Sequence, residues 1–408
     1  MVVVHGDVSP GYEAVGEAFA ENFRSRGKVG AAVAVVIDNR LVVDLWGGSA
    51  NPREGRSWQR DTLVNLFSTT KGVSALAVAH AHARGLFEYD EPVATYWPEF
   101  AANGKRHVTV RTLLSHQAGL CAIDAPMSVA TLADPDAVAA AIGPQKPAWR
   151  PGERHGYHAL TLGWYESELI RRTDRRHRTI GRYFAEEIAA PLGLDLYIGL
   201  PDEVPDERLA RIMGDWYRVK MLFHMRTMPR RFVTNFLNPR SITARSFANP
   251  KVVGEALRYN DRQIRRLELP SANGTGTARS VAAAYGEFAT AGRRLGIDGV
   301  TLAALTQPAT APSGGRYDQV LHTDTAFSLG ACKPWPGFEF GSPQAFGAPG
   351  AGGSMGFADP QLRMGFCYAM NRMGFHLWND PREVSLRHAA QAAAKATLCR
   401  AGGVETPT

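Results

Sequence analysis

The stretch Phe67-Ser68-Thr69-Thr70-Lys71-Gly72 constrains this chain more than any other, because it joins an apolar segment to an Ala-rich helical run over 73–84. If Ser68 begins that helix, Lys71 lies one turn further along on the same face, within reach of the Ser68 hydroxyl. The amino end of the helix also supplies unpaired N–H groups and a partial positive charge beside the serine. The stretch therefore predicts a nucleophile, a base and anion-stabilising donors within four residues.

A Ser-x-x-Lys tetrapeptide on its own is weak support for catalysis, because most such sequences are solvated helix starts. Here the apolar lead-in and the apolar helix indicate that the motif is buried on both sides, which a surface turn does not need. A catalytic role for the motif is therefore a hypothesis, which needs support from other parts of the chain.

Composition and charge limit the class of protein. With 408 residues, of which 45% are hydrophobic, the chain should form one large domain or two closely joined ones. The formal net charge is +7, but the arginines are spread along the chain without the spacing of a nucleic-acid motif, so we expect no nucleic-acid partner. The absence of a secretory pattern and of any membrane-length apolar run predicts a cytoplasmic protein with no membrane partner. The cysteines lack metal spacing and are predicted to be reduced core thiols: Cys121, Cys332, Cys367 and Cys399.

Periodicity places strands near both ends of the chain. The strand-like runs are 31–37, 41–48, 325–330, 353–358 and 364–370, and the terminal helical patterns are 11–27 and 382–400. The predicted fold class is α+β, an α/β sandwich whose antiparallel sheet is built from N- and C-terminal strands flanked by helices, with a mainly helical inserted domain. We assign the sheet domain to residues 1–66 and 310–408 and the helical domain to 67–309, with the catalytic cleft along the seam.

Two loop and helix boundaries in the middle of the chain carry further polar side chains. A helix predicted from 110 to a cap at Gly119 carries His116, for which bonding a backbone carbonyl is the favoured interpretation. Tyr157 stands at a loop-to-helix junction, where a structural and a functional tyrosine are both compatible with the sequence. His155 and His158 flank it without a third ligand of fitting spacing, so we predict no metal and no cofactor.

The segment from Met213 to Asn249 interleaves aromatic with basic residues. Two interpretations compete, a cap over the active site and a surface arm for an anionic partner. We favour the cap, because the aromatic side chains need a surface to bury against. The aromatic residues are Trp216, Tyr217, Phe223, Phe232 and Phe236, and the basic residues are Arg218, Lys220, Arg226, Arg230, Arg231 and Arg240.

In their order along the chain, the motifs resemble the landmarks of the serine β-lactamase-like superfamily, most closely its class C and carboxylesterase branch. The landmarks are Ser68-Thr69-Thr70-Lys71, the stretch 113–120, Trp149-Arg150-Pro151-Gly152 with Tyr157, Asn273-Gly274 before Ala278-Arg279-Ser280, and Gly350-Ala351-Gly352-Gly353. The resemblance spans nearly the whole chain, from the first predicted helix to the last.

The resemblance implies a role for each site residue. Ser68 would be the acylated nucleophile, Lys71 would accept or relay its proton, and Tyr157 would assist as a phenolate that the cationic lysine favours by charge attraction. The oxyanion hole would consist of the backbone N–H groups of Ser68 and Ala351. Substrate contacts are expected from Ala348, Gly350, Gly352 and His158.

Two departures from the family pattern bear on the substrate. Ala348-Pro349-Gly350 stands where relatives carry Lys-Thr-Gly or His-x-Gly, and Ala159 stands where β-lactamases prefer an asparagine. Lactamases use those groups to hold a carboxylate and an amide, so their absence weakens an antibiotic-hydrolase interpretation. A separate match to Gly-x-Ser-x-Gly at Ser354 is followed by a strand-like run rather than a helix, so we predict a structural serine there.

The expected function is therefore a serine hydrolase of β-lactamase fold, esterase-type, that acts on a small ester through an acyl-enzyme on Ser68. The alternative is an acyltransferase that passes the acyl group to an amine or alcohol acceptor in natural-product biosynthesis, since acyl-enzyme chemistry is common to both. A β-lactamase or D-amino-acid peptidase is a weaker alternative. An inactive binding protein is disfavoured because Ser68, Lys71 and Tyr157 are all present.

Overall fold

The computed structural model describes residues 2–214 and 222–401. Its strands, numbered in chain order, are β1 (Val4–Val8), β2 (Gly30–Ile37), β3 (Arg40–Asn51), β4 (Arg56–Ser57), β5 (Val64–Asn65), β6 (Leu196–Tyr197), β7 (Thr275–Gly276), β8 (Phe346–Pro349), β9 (Met355–Asp359) and β10 (Met364–Met370). The main sheet is antiparallel with the order β1-β3-β2-β10-β9-β8, and β4 pairs with β3 beside this path. A small sheet has the order β5-β7-β6.

The α-helices of the described residues connect and cover these sheets. They are α1 (Glu13–Ser25), α2 (Thr69–Ala83), α3 (Val93–Tyr96), α4 (Val110–Leu114), α5 (Val129–Leu132), α6 (Pro135–Ile142), α7 (Thr161–Thr173), α8 (Ile180–Phe184), α9 (Ala190–Leu192), α10 (Arg230–Leu237), α11 (Ile242–Ser246), α12 (Arg262–Arg266), α13 (Ala278–Ala289), α14 (Gly299–Thr306) and α15 (Pro381–Ala401). None of the helices in this part of the chain has both the length and the apolar character needed to cross a membrane.

The two ends of the chain meet at the centre of the main sheet, where β2 pairs with β10. Val35 lies opposite Phe366, and Ala32 lies opposite Ala369. Nearly all of β2 is buried, because α1 and α15 pack together on one face of the sheet and α13 packs on the other. The turn between β2 and β3 has left-handed Asp38 and Asn39, the conformation of a tight hairpin.

Helix α2 runs through the core between the sheet and the helical region. Its residues from Thr69 to Ala81 are all buried, which requires small side chains on most sides. Gly72 shows why: a Cβ there would lie 1.8 Å from the hydroxyl of Tyr285 on α13. Because α2 also packs against β8, its amino end lies beside the last strands of the sheet.

The predicted fold class is confirmed, and so is the hairpin over 31–37 and 41–48. The predicted strand over 325–330 is wrong, since only isolated bridges form there, including Phe327 with Cys332. The helix predicted from 110 to Gly119 ends at Leu114. The proposed division at residues 66 and 310 stays a prediction, and α13 lies on the sheet although it falls inside the range 67–309.

The cysteine prediction needs one correction. Cys121, Cys332 and Cys367 are free and buried, as expected of core thiols, but Cys399 is exposed on the last helix. The helix is the terminal element of the described chain, so one of its faces meets solvent.

Candidate active site

Ser68 lies at the start of α2, where the chain leaves the short strand β5. Phe67, directly before it, has a φ of +49°, a left-handed conformation that is strained for an aromatic residue and that turns the chain sharply into the helix. Ser68 occupies the N-cap position, but its side chain makes no cap hydrogen bond. Its hydroxyl therefore does not have the usual structural role of a serine at this position.

Residues distant in sequence hold this turn in place. The hydroxyl of Ser354 donates to the carbonyl oxygen of Leu66 at 2.8 Å and lies 3.1 Å from Oγ1 of Thr69. The backbone N–H of Gly274 donates to Oγ1 of Thr70 at 2.8 Å. Ser354 is only 2% exposed, so the residue at the Gly-x-Ser-x-Gly match is a buried support of the turn that carries Ser68.

Lys71 is buried next to the serine hydroxyl. Its Nζ lies 3.3 Å from Oγ of Ser68 and donates to the carbonyl oxygens of Ala159, at 2.6 Å, and Ser271, at 3.0 Å. Burial lowers the pKa of Lys71 to about 7, because a low-dielectric interior penalises the ammonium form. A substantial fraction of Lys71, about half at pH 7, is therefore neutral and able to accept a proton.

Tyr157 lies against the same pair, with its ring centroid 4.7 Å from Nζ of Lys71. Burial raises the pKa of Tyr157 above its ordinary value, Cys332 adds to the rise, and a hydrogen bond with Ser68 opposes it. The expected phenolate beside a cationic lysine is therefore wrong for this structure. At pH 7 the lysine is about half neutral and the tyrosine is a phenol, because burial acts against the charged form of both groups.

The backbone of Tyr157 is held by a buried carboxylate that the sequence analysis missed. Asp318 accepts hydrogen bonds from the backbone N–H groups of Tyr157 at 3.2 Å, Val320 at 2.8 Å and Leu321 at 2.8 Å. Burial raises the pKa of Asp318 to about 6. No motif surrounds Asp318 in the sequence, and its function depends on a loop approaching Tyr157 from 161 residues away.

Two histidines next to Tyr157 also bond to the backbone. Nδ1 of His116 accepts from the N–H of His158 at 3.0 Å, and Nε2 of His158 accepts from the N–H of Leu120 at 3.2 Å. Burial lowers the pKa of His158 to about 3, so the ring is neutral. Both rings therefore support the loop that presents Tyr157. His116 has a structural bond to the backbone, as predicted, but its partner is the N–H of His158 rather than a carbonyl oxygen.

Ser68 and Ala351, whose N–H groups are predicted to form the oxyanion hole, lie beside the same cavities. Within the described part of the chain, neither N–H donates a hydrogen bond to another protein group, and both residues line the same two cavities. Ala351 follows β8 in a tight turn that begins at Gly350, whose N–H donates to the carbonyl oxygen of Ser354 at 2.8 Å. A Cβ at Gly350 would lie 2.1 Å from Oγ of Ser354, so the close approach requires glycine.

The two cavities have volumes of about 50 Å³ and about 90 Å³ and meet at Ser68, Ala351 and Phe247. None of the described residues that line them carries a charged side chain. The smaller cavity is lined by the side chains of Tyr157, Leu321, Cys332, Trp335, Leu377 and Trp378, among others. Large side chains of the larger cavity are Phe67, Leu160, Phe236, Val253, Tyr259 and Met373.

A larger cleft, of about 280 Å³, lies elsewhere, beside Trp164 and Glu268, and no serine–lysine pair lines it. Among the described residues, no group of three or more His, Cys, Asp and Glu side chains is arranged to hold a metal ion.

The four residues expected to contact substrate lie outside both cavities. Ala348 is 2% exposed on β8, which packs on α2, and Gly350 contributes to the turn described above. The carbonyl oxygen of Gly352 accepts from Nη2 of Arg382 at 2.7 Å, and His158 is fully buried. The substrate contacts of these four residues stay a prediction. Part of the cavity walls comes from segments that carry no family motif, such as those around Phe247 and Trp378.

The aromatic segment from Met213 to Asn249 lies partly over the site. Phe236 and Phe247 line the larger cavity, and Phe232 packs against both rings from a fully buried position. The cap interpretation therefore describes the inner side of this segment. Residues 215–221 of this segment lie outside the described residues, among them four of the aromatic and basic residues named above: Trp216, Tyr217, Arg218 and Lys220.

A family model described as Beta-lactamase matches residues 17–391 of the chain. The protein named Esterase/beta-lactamase LipL from Mycobacterium tuberculosis is 33% identical, over 91% of this chain and 83% of that protein.

Solved structures of similar proteins also match this chain over nearly its whole length. A family VIII carboxylesterase has a TM-score of 0.84 and 37% identity, over 96% of this chain and 100% of that one. A penicillin-binding protein homologue from Caulobacter crescentus has a TM-score of 0.81 and 37% identity, again over 96% and 100%.

Proposed function

The chain belongs to the beta-lactamase family, and from that membership we propose that it is a serine carboxylesterase that cleaves small uncharged esters through an acyl-enzyme on Ser68. The observation that carries the proposal is the position of Lys71, whose Nζ lies 3.3 Å from the serine hydroxyl in a buried setting that brings its pKa to about 7. An unactivated serine is a poor nucleophile at neutral pH, and a neutral amine at this distance supplies the missing base.

In the proposed acylation step, Oγ of Ser68 attacks the ester carbonyl carbon while its proton passes to Nζ of Lys71. The N–H groups of Ser68 and Ala351 stabilise the negative oxygen of the tetrahedral intermediate, for which one donor typically contributes a factor of about 10² or more. As the carbon–oxygen bond to the alcohol breaks, the alkoxide takes the phenol proton of Tyr157, and the proton held by Lys71 replaces it on the phenol. The step ends with a serine ester, a free alcohol and a neutral lysine.

Deacylation repeats the sequence with water as the attacking group. Lys71 accepts a proton from the water as it attacks the serine ester, and returns it to Oγ of Ser68 as the acid leaves. The neutral phenol of Tyr157 serves as a hydrogen-bond donor at this position in both steps. Lys71 is therefore the proposed general base, and Tyr157 is a proposed proton donor rather than a phenolate.

The lining of the two cavities supports an uncharged, apolar substrate. An ester has two parts, and two apolar cavities that meet at the nucleophile and at Ala351 give each part a place. A carboxylate or ammonium group in either cavity would lose its hydration without a described charged partner. This disfavours β-lactams and D-amino-acid derivatives as good substrates.

Acyl transfer to an alcohol is a second candidate, and one observation favours it. The cavity that contains Tyr157 is walled by Trp335 and Trp378, whose rings pack edge to face at 5.6 Å, so an apolar alcohol could replace water beside the proton donor. We also propose a cytoplasmic location, for which the three buried free thiols, rather than disulfides, are the support.

The test is hydrolysis of p-nitrophenyl acetate and p-nitrophenyl butyrate by the full-length protein. Ser68→Ala should abolish nitrophenol release above background, whereas the matched control Ser354→Ala should reduce it without abolishing it, because Ser354 supports the turn that carries Ser68 but takes no part in the reaction. Loss of activity in the control with full retention in Ser68→Ala would refute the assignment of the nucleophile. Adding aromatic and aliphatic alcohols and measuring ester products by mass spectrometry distinguishes transfer from hydrolysis.

A further inference from the structure

The segment from 222 to 249, here called the cap segment, has a composition found nowhere else at this length in the chain. Its 28 residues include five arginines and neither aspartate nor glutamate. Its inner side is apolar and faces the active site: Phe232 and Val233 are fully buried, and Phe236 and Phe247 line the larger cavity. The aromatic residues are therefore accounted for by their packing on the inner side, but this packing gives no function to the arginines.

The arginines lie on the outer side. Arg245 pairs with Asp124, but the other four are exposed, and no acidic side chain of the described chain forms an ion pair with any of them. Two of the four stand at the start of α10, where the helix dipole adds positive potential. The four unpaired residues are Arg226, Arg230, Arg231 and Arg240.

An exposed aromatic ring precedes these arginines in the cap segment. Phe223 is 82% exposed, the largest value among the large hydrophobic residues of the described chain. The chain beside it is anchored, because the ring of His224 stacks on Phe375 at 4.1 Å and the hydroxyl of Thr227 donates to the carbonyl oxygen of Phe375. The exposed ring is therefore held on the outside of an anchored turn, three residues before Arg226.

This combination selects one kind of partner. Exposed arginines without a protein partner bind well to a surface dense in anionic oxygen atoms, and an exposed phenyl ring gains free energy by entering an apolar layer. The headgroup region of an anionic phospholipid bilayer provides both within a short depth, because lipid phosphates lie directly above the acyl chains. A nucleic acid fits less well, since it offers phosphates without an apolar layer and the described residues of this side include no row of stacking aromatics.

We propose that the outer side of the cap segment docks on anionic phospholipid bilayers, with the four unpaired arginines at the lipid phosphates and Phe223 in the interface. The expectation of no membrane partner rested on the absence of a membrane-length apolar run, and a peripheral contact needs no such run. Docking in this orientation would bring bilayer-dissolved esters to the cap above Ser68. The binding itself goes beyond the proposed esterase activity and does not depend on it.

The experiment measures sedimentation of the full-length Ser68→Ala protein with vesicles, so that hydrolysis plays no part in the result. Vesicles of phosphatidylcholine and phosphatidylglycerol at a 7:3 ratio are compared with pure phosphatidylcholine at low and physiological salt. With its cap segment unchanged, the Ser68→Ala protein should bind at least about tenfold more strongly to the anionic vesicles than to the neutral ones at low salt. It should lose most of that preference at physiological salt.

Two variants and a matched control identify the surface. Replacing all four unpaired cap arginines by glutamine should lower the partition coefficient on the order of a hundredfold, and Phe223→Ala should lower it about fivefold. The control replaces four other exposed arginines that also form no ion pair within the described chain, and it removes the same net charge. It should change binding by less than about threefold. The control set is Arg53, Arg106, Arg175 and Arg293.

Three outcomes would overturn the proposal. The first is equal partitioning onto anionic and neutral vesicles, and the second is an equal loss in the control and cap variants, which would show a net-charge effect. The third is binding to polyglutamate but not to vesicles, which would assign the surface to an acidic protein. Circular dichroism on each variant verifies that it is folded, and esterase assays are run separately on Ser68-containing protein.

Discussion

Replacing Lys71 by methionine should inactivate the protein and, at neutral pH, stabilise its fold. Methionine keeps a straight side chain of similar length but cannot be charged or accept a proton. Lys71 is 2% exposed, so its titration is almost unscreened by solvent. The same burial that makes the lysine a base at pH 7 therefore also lowers the free energy of unfolding of the protein.

The magnitude follows from the pKa of Lys71, which burial lowers from 10.5 to about 7. Below pH 7 the lysine is charged in both states, and the folded state bears the whole desolvation penalty of about 5 kcal/mol. Between pH 7 and pH 10.5 the unfolded chain keeps the proton that the folded protein has lost, so stability rises with pH. From pH 7 to pH 9 this gain is about 2 kcal/mol.

Methionine removes this pH dependence but also removes the hydrogen bonds to the carbonyl oxygens of Ala159 and Ser271. At about 1.5 kcal/mol each, these losses leave Lys71→Met about 1–2 kcal/mol more stable than wild type at pH 7 and about 1 kcal/mol less stable at pH 9. For a protein of 408 residues, each kcal/mol moves the midpoint of thermal unfolding by about 1 °C. Calorimetry at pH 7, 8 and 9 measures this change of sign, and nitrophenyl ester assays measure the loss of activity.

Lys333→Met is the matched control. Burial lowers the pKa of Lys333 to about 7 as well, but its Nζ donates to the carbonyl oxygen of Thr306 rather than to Ser68. It should show a similar pH-dependent change in stability and keep esterase activity. If Lys71→Met were equally destabilised at pH 7 and pH 9, Lys71 would not be a desolvated, nearly neutral base, and the proposed mechanism would be refuted.

Three further outcomes are expected. The kcat/KM for an uncharged ester should rise with pH through a midpoint near 7, because only neutral Lys71 acts as base, and a profile flat from pH 5 to 9 would contradict this. Tyr157→Phe should lower the acylation rate about 10²–10⁴-fold in stopped-flow assays with little change in folding, whereas near-normal turnover would make the phenol structural. Asp318→Ala leaves three buried N–H groups without their acceptor and should lower the unfolding free energy by about 2–4 kcal/mol, with partial recovery in Asp318→Asn; an unchanged denaturation midpoint would show that these bonds do not matter.

The serine–lysine pair was predictable because it is local. Residues three apart on a helix share a face whatever the tertiary fold, so the motif alone brings Lys71 to Ser68. The fold class was predictable for a similar reason, since strand patterns near both ends of the chain need a common sheet. Tyr157 joined the site only through the family resemblance, because its own sequence neighbourhood does not distinguish a functional from a structural tyrosine.

The protonation state of Tyr157 was not predictable, because it depends on burial by groups that come from elsewhere in the chain. Cys332 and the carboxylate of Asp318 approach it across long sequence separations. The run 325–330 was mistaken for a strand for a related reason: it is apolar because it is buried, but only isolated bridges form there. A motif alignment likewise indicated Ala348 as a substrate contact, although packing on α2 buries it.

The most direct test of the central claim is the identity of the acylated residue. The full-length protein is treated with a p-nitrophenyl phosphonate, digested, and the modified peptide is sequenced by mass spectrometry. A single adduct on Ser68, formed in wild type and in Ser354→Ala but lost in Ser68→Ala and strongly slowed in Lys71→Met, is the expected result. An adduct on Ser354, or on any residue other than Ser68, would contradict the account.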